Sequence, residues 1–200
     1  MSAEEDVRLK PGFWPPRWWV WVFVAPAVFI PLLQLWLGPG ERVDVLGAGP
    51  LHVVLDGPPP DGVRFEGSVF PQAPLEDTDR RIREGLLELP RVVVIGSAAP
   101  TTAEEAQRLP GLFDAWVTRA HRSSVVSVIV APELPTGPAQ RRAAIMAFRA
   151  RLRVRCRTLE RALCVDLDGE SPARARAKLH HAAQRAVARL HALQATTRSR

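Results

Sequence analysis

The sequence predicts an α/β domain, a parallel sheet layered between helices, carried behind one transmembrane helix. Three observations lead there. Trp18–Leu37 reads WWVWVFVAPAVFIPLLQLWL and holds no ionisable side chain. Four short apolar runs, His52–Leu55, Val92–Ile95, Val125–Val130 and Cys164–Leu167, have the β-branched composition of strands buried on both faces. Segments with helical periodicity separate these runs. Strand alternating with helix builds a parallel sheet covered on both sides, a three-layer α/β/α arrangement.

Residues 1–17 form a polar tail with Pro11, Pro15 and Pro16, too small to fold alone. The uncharged stretch 18–37 follows. Roughly 20 helical residues span about 30 Å, the thickness of bilayer hydrocarbon. Trp14, Trp18, Trp19 and Trp21 gather at one end and Trp36 marks the other. An indole, apolar with one N–H donor, settles at the headgroup boundary. Pro26 and Pro31 would break a soluble helix but are tolerated as kinks in a membrane one. A cleavable signal peptide is the competing reading, with Leu46-Gly47-Ala48 as its faint cleavage signal, but the apolar region is long for one. Arg8, Lys10 and Arg17 precede the span and only Arg42 follows it closely. The positive-inside rule therefore puts the tail in the cytoplasm. Residues 38–200 then lie beyond the plasma (inner) membrane, periplasmic or extracellular. Residues 38–50 (GPGERVDVLGAGP) read as a linker, 51–195 as the folded domain and 196–200 as a second tail.

Within the domain, Asp77–Leu89 carries Ile82, Leu86 and Leu89 at helical spacing. Thr102–His121 opens on a capping box, Thr102 to Glu105, and is expected to be interrupted at Pro110-Gly111. Pro138–Cys156 sets Ile145, Phe148, Leu152 and Cys156 on one face and Arg142, Arg149 and Arg153 on another. The last helix begins at Ser171-Pro172, a cap followed by a first-turn proline, and turns Leu179, Ala183, Ala186, Leu190 and Leu193 inward.

Charge is unevenly spread. Glu41–Thr136 holds 9 basic and 14 acidic residues, net −5, whereas Gly137–Arg200 holds 15 basic and 4 acidic, net +11. A basic half of this kind suits contact with anionic headgroups or an anionic envelope polymer, and equally a solvated arginine-rich helix face. No recognition motif points to nucleic acid. No metal cluster, phosphate loop or dinucleotide fingerprint is present, so no cofactor is expected. Cys156 and Cys164 are the only cysteines. Outside the cytoplasm an even count permits a disulfide, and two separate buried thiols satisfy the same count.

Ligands of parallel α/β sheets sit at the carboxyl ends of the strands. The residues of interest are therefore Asp56-Gly57-Pro58, Gly96-Ser97-Ala98-Ala99-Pro100, Ala131-Pro132-Glu133 and Asp168-Gly169-Glu170-Ser171-Pro172. In VVLDGP at 53–58, VVVIGSAAP at 92–100 and VDLDGESP at 165–172, the chain resembles the SGNH (GDSL-like) hydrolase superfamily over most of residues 51–193. Those esterases are three-layer α/β domains. They carry a strand ending in Gly-Asp-Ser, a strand ending in Gly-x-Asn-Asp, and an Asp-x-x-His-Pro that opens the last helix.

The resemblance implies the scaffold and withholds the chemistry. The family's nucleophilic serine falls on Gly57, after Asp56. Its oxyanion-hole asparagine falls on Ala98, beside Gly96, and Gly67 stands where a second oxyanion glycine is placed. Its base histidine falls on Ser171, although the aspartate is kept as Asp168. Acyl transfer needs a hydroxyl nucleophile, a base and oxyanion donors, and Gly57 supplies no nucleophile, Ala98 no side-chain donor and Ser171 no base. Ser171 is fully explained as a helix cap.

The expectation is a non-catalytic domain that binds or scaffolds an envelope glycan or a membrane-protein partner. Asp56, Gly57, Gly96, Ser97, Asp168 and Ser171 are its candidate pocket. An active envelope esterase or acyltransferase would need a displaced serine–histidine site built from Ser68 or Ser97 with His180 or His181. His52 reads as structural. A cytoplasmic-facing basic module is the third reading and requires the opposite topology.

Overall fold

A computed structural model describes residues 40–56 and 62–198. The predicted membrane span, its flanking tail and Gly57 lie outside the described residues. Among those described, no helix is long and apolar enough to cross a membrane.

Five strands, β1 (Glu41–Gly47), β2 (Val63–Glu66), β3 (Val92–Gly96), β4 (Val126–Val130) and β5 (Ala162–Val165), form one parallel sheet in the order β2-β1-β3-β4-β5. The helices are α1 (His52–Leu55), α2 (Leu75–Leu87), α3 (Ala103–Arg122), α4 (Ala139–Thr158) and α5 (Pro172–Arg198). Strand alternation explains why the central runs are apolar throughout. Val92, Val94, Val126 and Val128 face one core with α1 and α5. Val93, Ile95 and Ile129 face a second core with α2, α3 and α4. Every residue of β3 and β4 is buried.

The expected strands Val92–Ile95 and Val125–Val130 and the four longer helices are present, with boundaries shifted by a few residues. Four expectations are corrected. His52–Leu55 is not a strand but the short helix α1. The first strand is instead Glu41–Gly47, inside the segment read as a linker. β1 hides its nature at its amino end, where Arg42 and Asp44 pair with one another at 2.6 Å on an otherwise alternating run whose Val43 and Val45 are buried. A run of four β-branched and apolar residues fits helix or strand equally. Here Pro50 opens a helical turn, and Val53 and Val54 bury against α5. Third, β2 (VRFE) was missed because it is a short edge strand with a single buried residue, and β5 lies two residues earlier than Cys164–Leu167.

Fourth, α3 runs through Pro110 without interruption. An interior proline costs about 3 kcal/mol. Leu109, Phe113, Trp116 and Val117 lie on both sides of it on one buried face. Full burial of such side chains contributes about 1.5–3 kcal/mol each, so the core outweighs the break. The capping box forms as expected: the Glu105 amide donates to Thr102 Oγ1 at 3.1 Å, and the Thr102 amide donates to the Glu105 carboxylate at 3.2 Å.

Cys156 and Cys164 are joined in a disulfide that ties the end of α4 to β5, with Cα atoms 5.8 Å apart. Closing so small a loop stabilises the domain by about 2–3 kcal/mol in the chain-entropy model. The Cys156→Ala/Cys164→Ala variant is expected to lose about that much in urea denaturation. Intact mass after thiol alkylation should show no free thiol in protein purified from its native source.

Candidate functional site

From β1 the chain steps to β2 on one side, then returns to β3 on the other. The connections leave the carboxyl ends of β1 and β3 in opposite directions and open a crevice between them, the usual ligand position in such sheets. A cleft of about 690 Å³ lies there. Its walls come from the turn after β1 (Gly49, Pro50, His52), the loop after β2 (residues 71–75), the loop after β3 (Ser97 to Thr101) and Glu133 after β4.

The floor is backbone. The Ala48 amide donates to the Gly96 carbonyl at 3.2 Å, and a Cβ at Gly47 would lie 1.9 Å from that carbonyl oxygen. Gly49 has φ +77°, and a Cβ there would approach the Ala98 Cα and the Ser97 oxygen to 2.8 Å. Only glycine fits either position.

Few polar side chains are spare. Ser97 is 2% exposed and donates from Oγ to the Ala98 carbonyl at 3.1 Å. His52 Nδ1 lies 2.9 Å from the Gly49 carbonyl, which fixes the ring and leaves Nε2 as its other polar atom. Thr78, on α2, is 1% exposed, lines the cleft, and its Oγ1 has no hydrogen-bond partner among the described residues. A buried hydroxyl left unpaired beside a cleft is the kind of group a ligand satisfies. Burial works against the charged form of Glu105, but hydrogen bonds from the Thr101 hydroxyl and amide and from the Thr102 amide outweigh it and hold the carboxyl below its usual range. Glu105 and Glu133 line the cleft and no lysine or arginine does.

The structure brings together only part of the sequence-predicted pocket. Ser97 lines the cleft; Gly96 precedes it at the end of β3 without lining the cleft, and an added Cβ there would meet Leu51 and Val130. Asp56 is exposed at the end of α1, not at a strand end. Asp168 and Ser171 follow β5 and do not line the cleft. Ser171 Oγ accepts from the Arg174 amide at 3.4 Å, as a helix cap. Asp168 accepts from Arg149 at 3.0 Å. The alternative histidines are also elsewhere: His180 stacks on Phe65 at 5.3 Å, and burial and nearby Arg176 lower its pKa. His52 and Gly49 are the residues that sequence reasoning missed. The signal was present in Gly47-Ala48-Gly49-Pro50, a turn directly after an alternating run.

Beside the cleft, the end of β5 is held by charge. Arg149 is 6% exposed and bonds Asp166 and Asp168 together, while Arg153 bonds Asp166 from the solvent side. Burial disfavours the charged Asp166, but bonds from Arg153, the Asp168 amide and Arg149 more than compensate and lower its pKa. Among the described residues, no cluster of histidine, cysteine and acidic side chains is arranged to hold a metal ion. Comparison with protein-family models and with curated proteins gives no match to this chain.

A depressed carboxylate stabilises the fold fully above its unfolded pKa of about 3.9, and that contribution is lost as pH falls through the lower folded value. Asp166→Asn should therefore reduce stability at pH 6 and flatten the loss between about pH 5 and pH 2, followed by thermal melting. An unchanged acid limb would assign no such role to the Arg149–Asp166–Asp168 cluster.

Proposed function

We propose that the chain is a membrane-anchored, non-catalytic domain of SGNH-hydrolase-like fold that faces the cell envelope and binds a glycan or protein partner there. The observation that carries this reading is Gly49. Taken strand for strand, the family's Gly-Asp-Ser falls after β1, on Gly47-Ala48-Gly49, because residues 52–55 are helix. The nucleophile position is then a glycine where a side chain would collide with the Ser97 and Ala98 backbone. Neighbouring Ala98 replaces the oxyanion asparagine. Asp168, which orients the base in the family, is engaged by Arg149 instead. Catalytic groups act as a unit, so a retained aspartate alone gains nothing.

The cleft supports binding in place of turnover. Its orphan Thr78 hydroxyl, His52 and Ser97 offer hydrogen bonds, and a lining with two glutamates and no lysine or arginine favours an uncharged or cationic ligand over an anionic one. The disulfide agrees with an oxidising compartment, and the uncharged stretch Trp18–Leu37 with an anchor.

A second reading has one observation in its favour: His52 and Ser97 line the same cleft. An active esterase built on them is tested directly. The full chain in neutral detergent should not hydrolyse short-chain aryl esters above background, nor label with a serine-reactive phosphonate. Stoichiometric labelling lost in Ser97→Ala would establish the esterase and overturn the non-catalytic reading.

The topology is tested separately. A reporter active only in the cytoplasm, fused after Arg200, should stay silent in cells, and strong activity would place the domain inside.

A further inference from the structure

The outer edge of the sheet carries a second surface, independent of the cleft. β5 is an edge strand. Toward β4, the carbonyls of Arg161 and Val165 accept from the amides of Ser127 at 2.8 Å and Ala131 at 2.9 Å. Alternation therefore turns the backbone groups of Ala162, Cys164 and Asp166 to the open side. Two of these carbonyls are already engaged by side chains: Arg189 donates to Ala162 at 3.2 Å and Lys178 donates to Asp166 at 3.5 Å. The Cys164 N–H and C=O between them receive no side-chain bond among the described residues. The Cys156–Cys164 disulfide fixes this strand to α4.

A groove of about 640 Å³ follows this edge between α4 and α5. Its walls are basic, and several of the charges are not neutralised. Lys178, His181, Arg185 and Arg189 recur at helical spacing on α5 and all line the groove. Like charges three or four residues apart destabilise a helix. Lys178 pairs with Glu170, and Arg153 across the groove pairs with Asp166. Arg185, and Arg157 on α4, have no acid partner among the described residues, and Arg189 holds only a backbone carbonyl. Glu160 and Asp166 are the acids in the lining.

We propose that this groove docks an acidic, extended segment of a partner protein, which adds to β5 as a further strand. The edge itself supplies the selectivity. An incoming strand must take the Ala162 and Asp166 carbonyls from Arg189 and Lys178. A neutral segment would leave Arg189 without a partner, whereas Lys178 keeps Glu170. An acidic one offers its carboxylates to the displaced Arg189, and to Arg185 and Arg157, while its amides take the carbonyls. The Cys164 C=O needs a donor, which a peptide has and a fully ionised polyanion lacks. A flat anionic bilayer meets the rims of the groove, not the strand edge at its floor.

The test uses the full chain in neutral detergent and a fluorescent peptide of alternating glutamate and valine. Anisotropy should report binding that falls with added salt. It should be absent for the glutamine–valine and lysine–valine peptides, and roughly tenfold weaker or more for Arg185→Glu/Arg189→Glu. Methylating alternate amides of the glutamate–valine peptide keeps its charge and blocks strand pairing, and should abolish binding. Equal binding of the methylated peptide would show a general polyanion groove and overturn strand addition. No binding of the glutamate–valine peptide, or binding indifferent to the arginine reversals in a variant whose circular dichroism is native, would overturn the site. Should that variant not fold, Arg157→Glu makes the same charge test, and the methylated peptide leaves the protein untouched.

Discussion

A Cβ at Gly47 would sit 1.9 Å from the Gly96 carbonyl oxygen, because β1 and β3 run their carboxyl ends together closer than any side chain permits. Much of the upper surface depends on that approach. It forces the chain to leave β1 through Gly47 and Gly49, both at positive φ, and into the helical turn begun by Pro50. That turn places His52 over the crevice and sends α1 against α5. The cleft exists because the chain changes direction here, and its floor is bare because only glycine fits. One backbone constraint thus shapes the cleft and, on the proposed reading, removes the space in which a nucleophile would stand.

Where local pattern and burial agree, the sequence was easy to read. β3 and β4 are apolar throughout because both faces are covered. The capping box of α3 and the cap of α5 are local hydrogen-bond chemistry that survives any tertiary context. The failures share a cause: tertiary contacts decided what local pattern left open. Arg42 and Asp44 disguised β1 as linker, although as a pair they neutralise one another at the strand's amino end. His52–Leu55 has strand composition, yet its place after a glycine turn makes it helix. Pro110 should interrupt α3, but the buried face running from Leu109 to Val117 does not allow it. The site inherited the first of these errors. With β1 read as linker, the first strand end falls at Asp56-Gly57, whereas the turn after β1 holds Gly49 and His52.

Charge divides the domain as the sequence suggested, and the fold gives the division a geometry. The acidic half contributes Glu105 and Glu133 to the cleft, and the arginine-rich half builds α4 and α5 around β5. Not all of that arginine is surface solvation. Arg149 is buried between Asp166 and Asp168, and removing one partner of such a cluster leaves charge stranded in a poor solvent. The cluster fixes the end of β5 and the start of the last connection, so the strand edge beyond it is held by the same groups that bring basic character to its groove.

The fate of Asp168 joins these strands of argument. On the proposed reading, its position is where an esterase of this scaffold keeps the acid that orients a base. Here its carboxylate faces Arg149 at 3.0 Å and the Leu134 amide at 3.5 Å, and three residues on stands Ser171, a helix cap. An aspartate that orients an imidazole offers one lone pair of a carboxylate oxygen to the ring N–H and its negative charge to the ring. This one accepts one bond at each oxygen, from the loop after β4 and from α4, and its charge is already paired with a guanidinium. A histidine restored at position 171 would therefore share its acid with Arg149, whose fixed positive charge works against an imidazolium. Reversal would also need Arg149 removed, at the expense of the β5 end, and a side chain at Gly49, where the backbone of β3 leaves no room. On the proposed reading, Gly49, the Arg149–Asp168 pair and the Ser171 cap each have a structural role in place of a catalytic one.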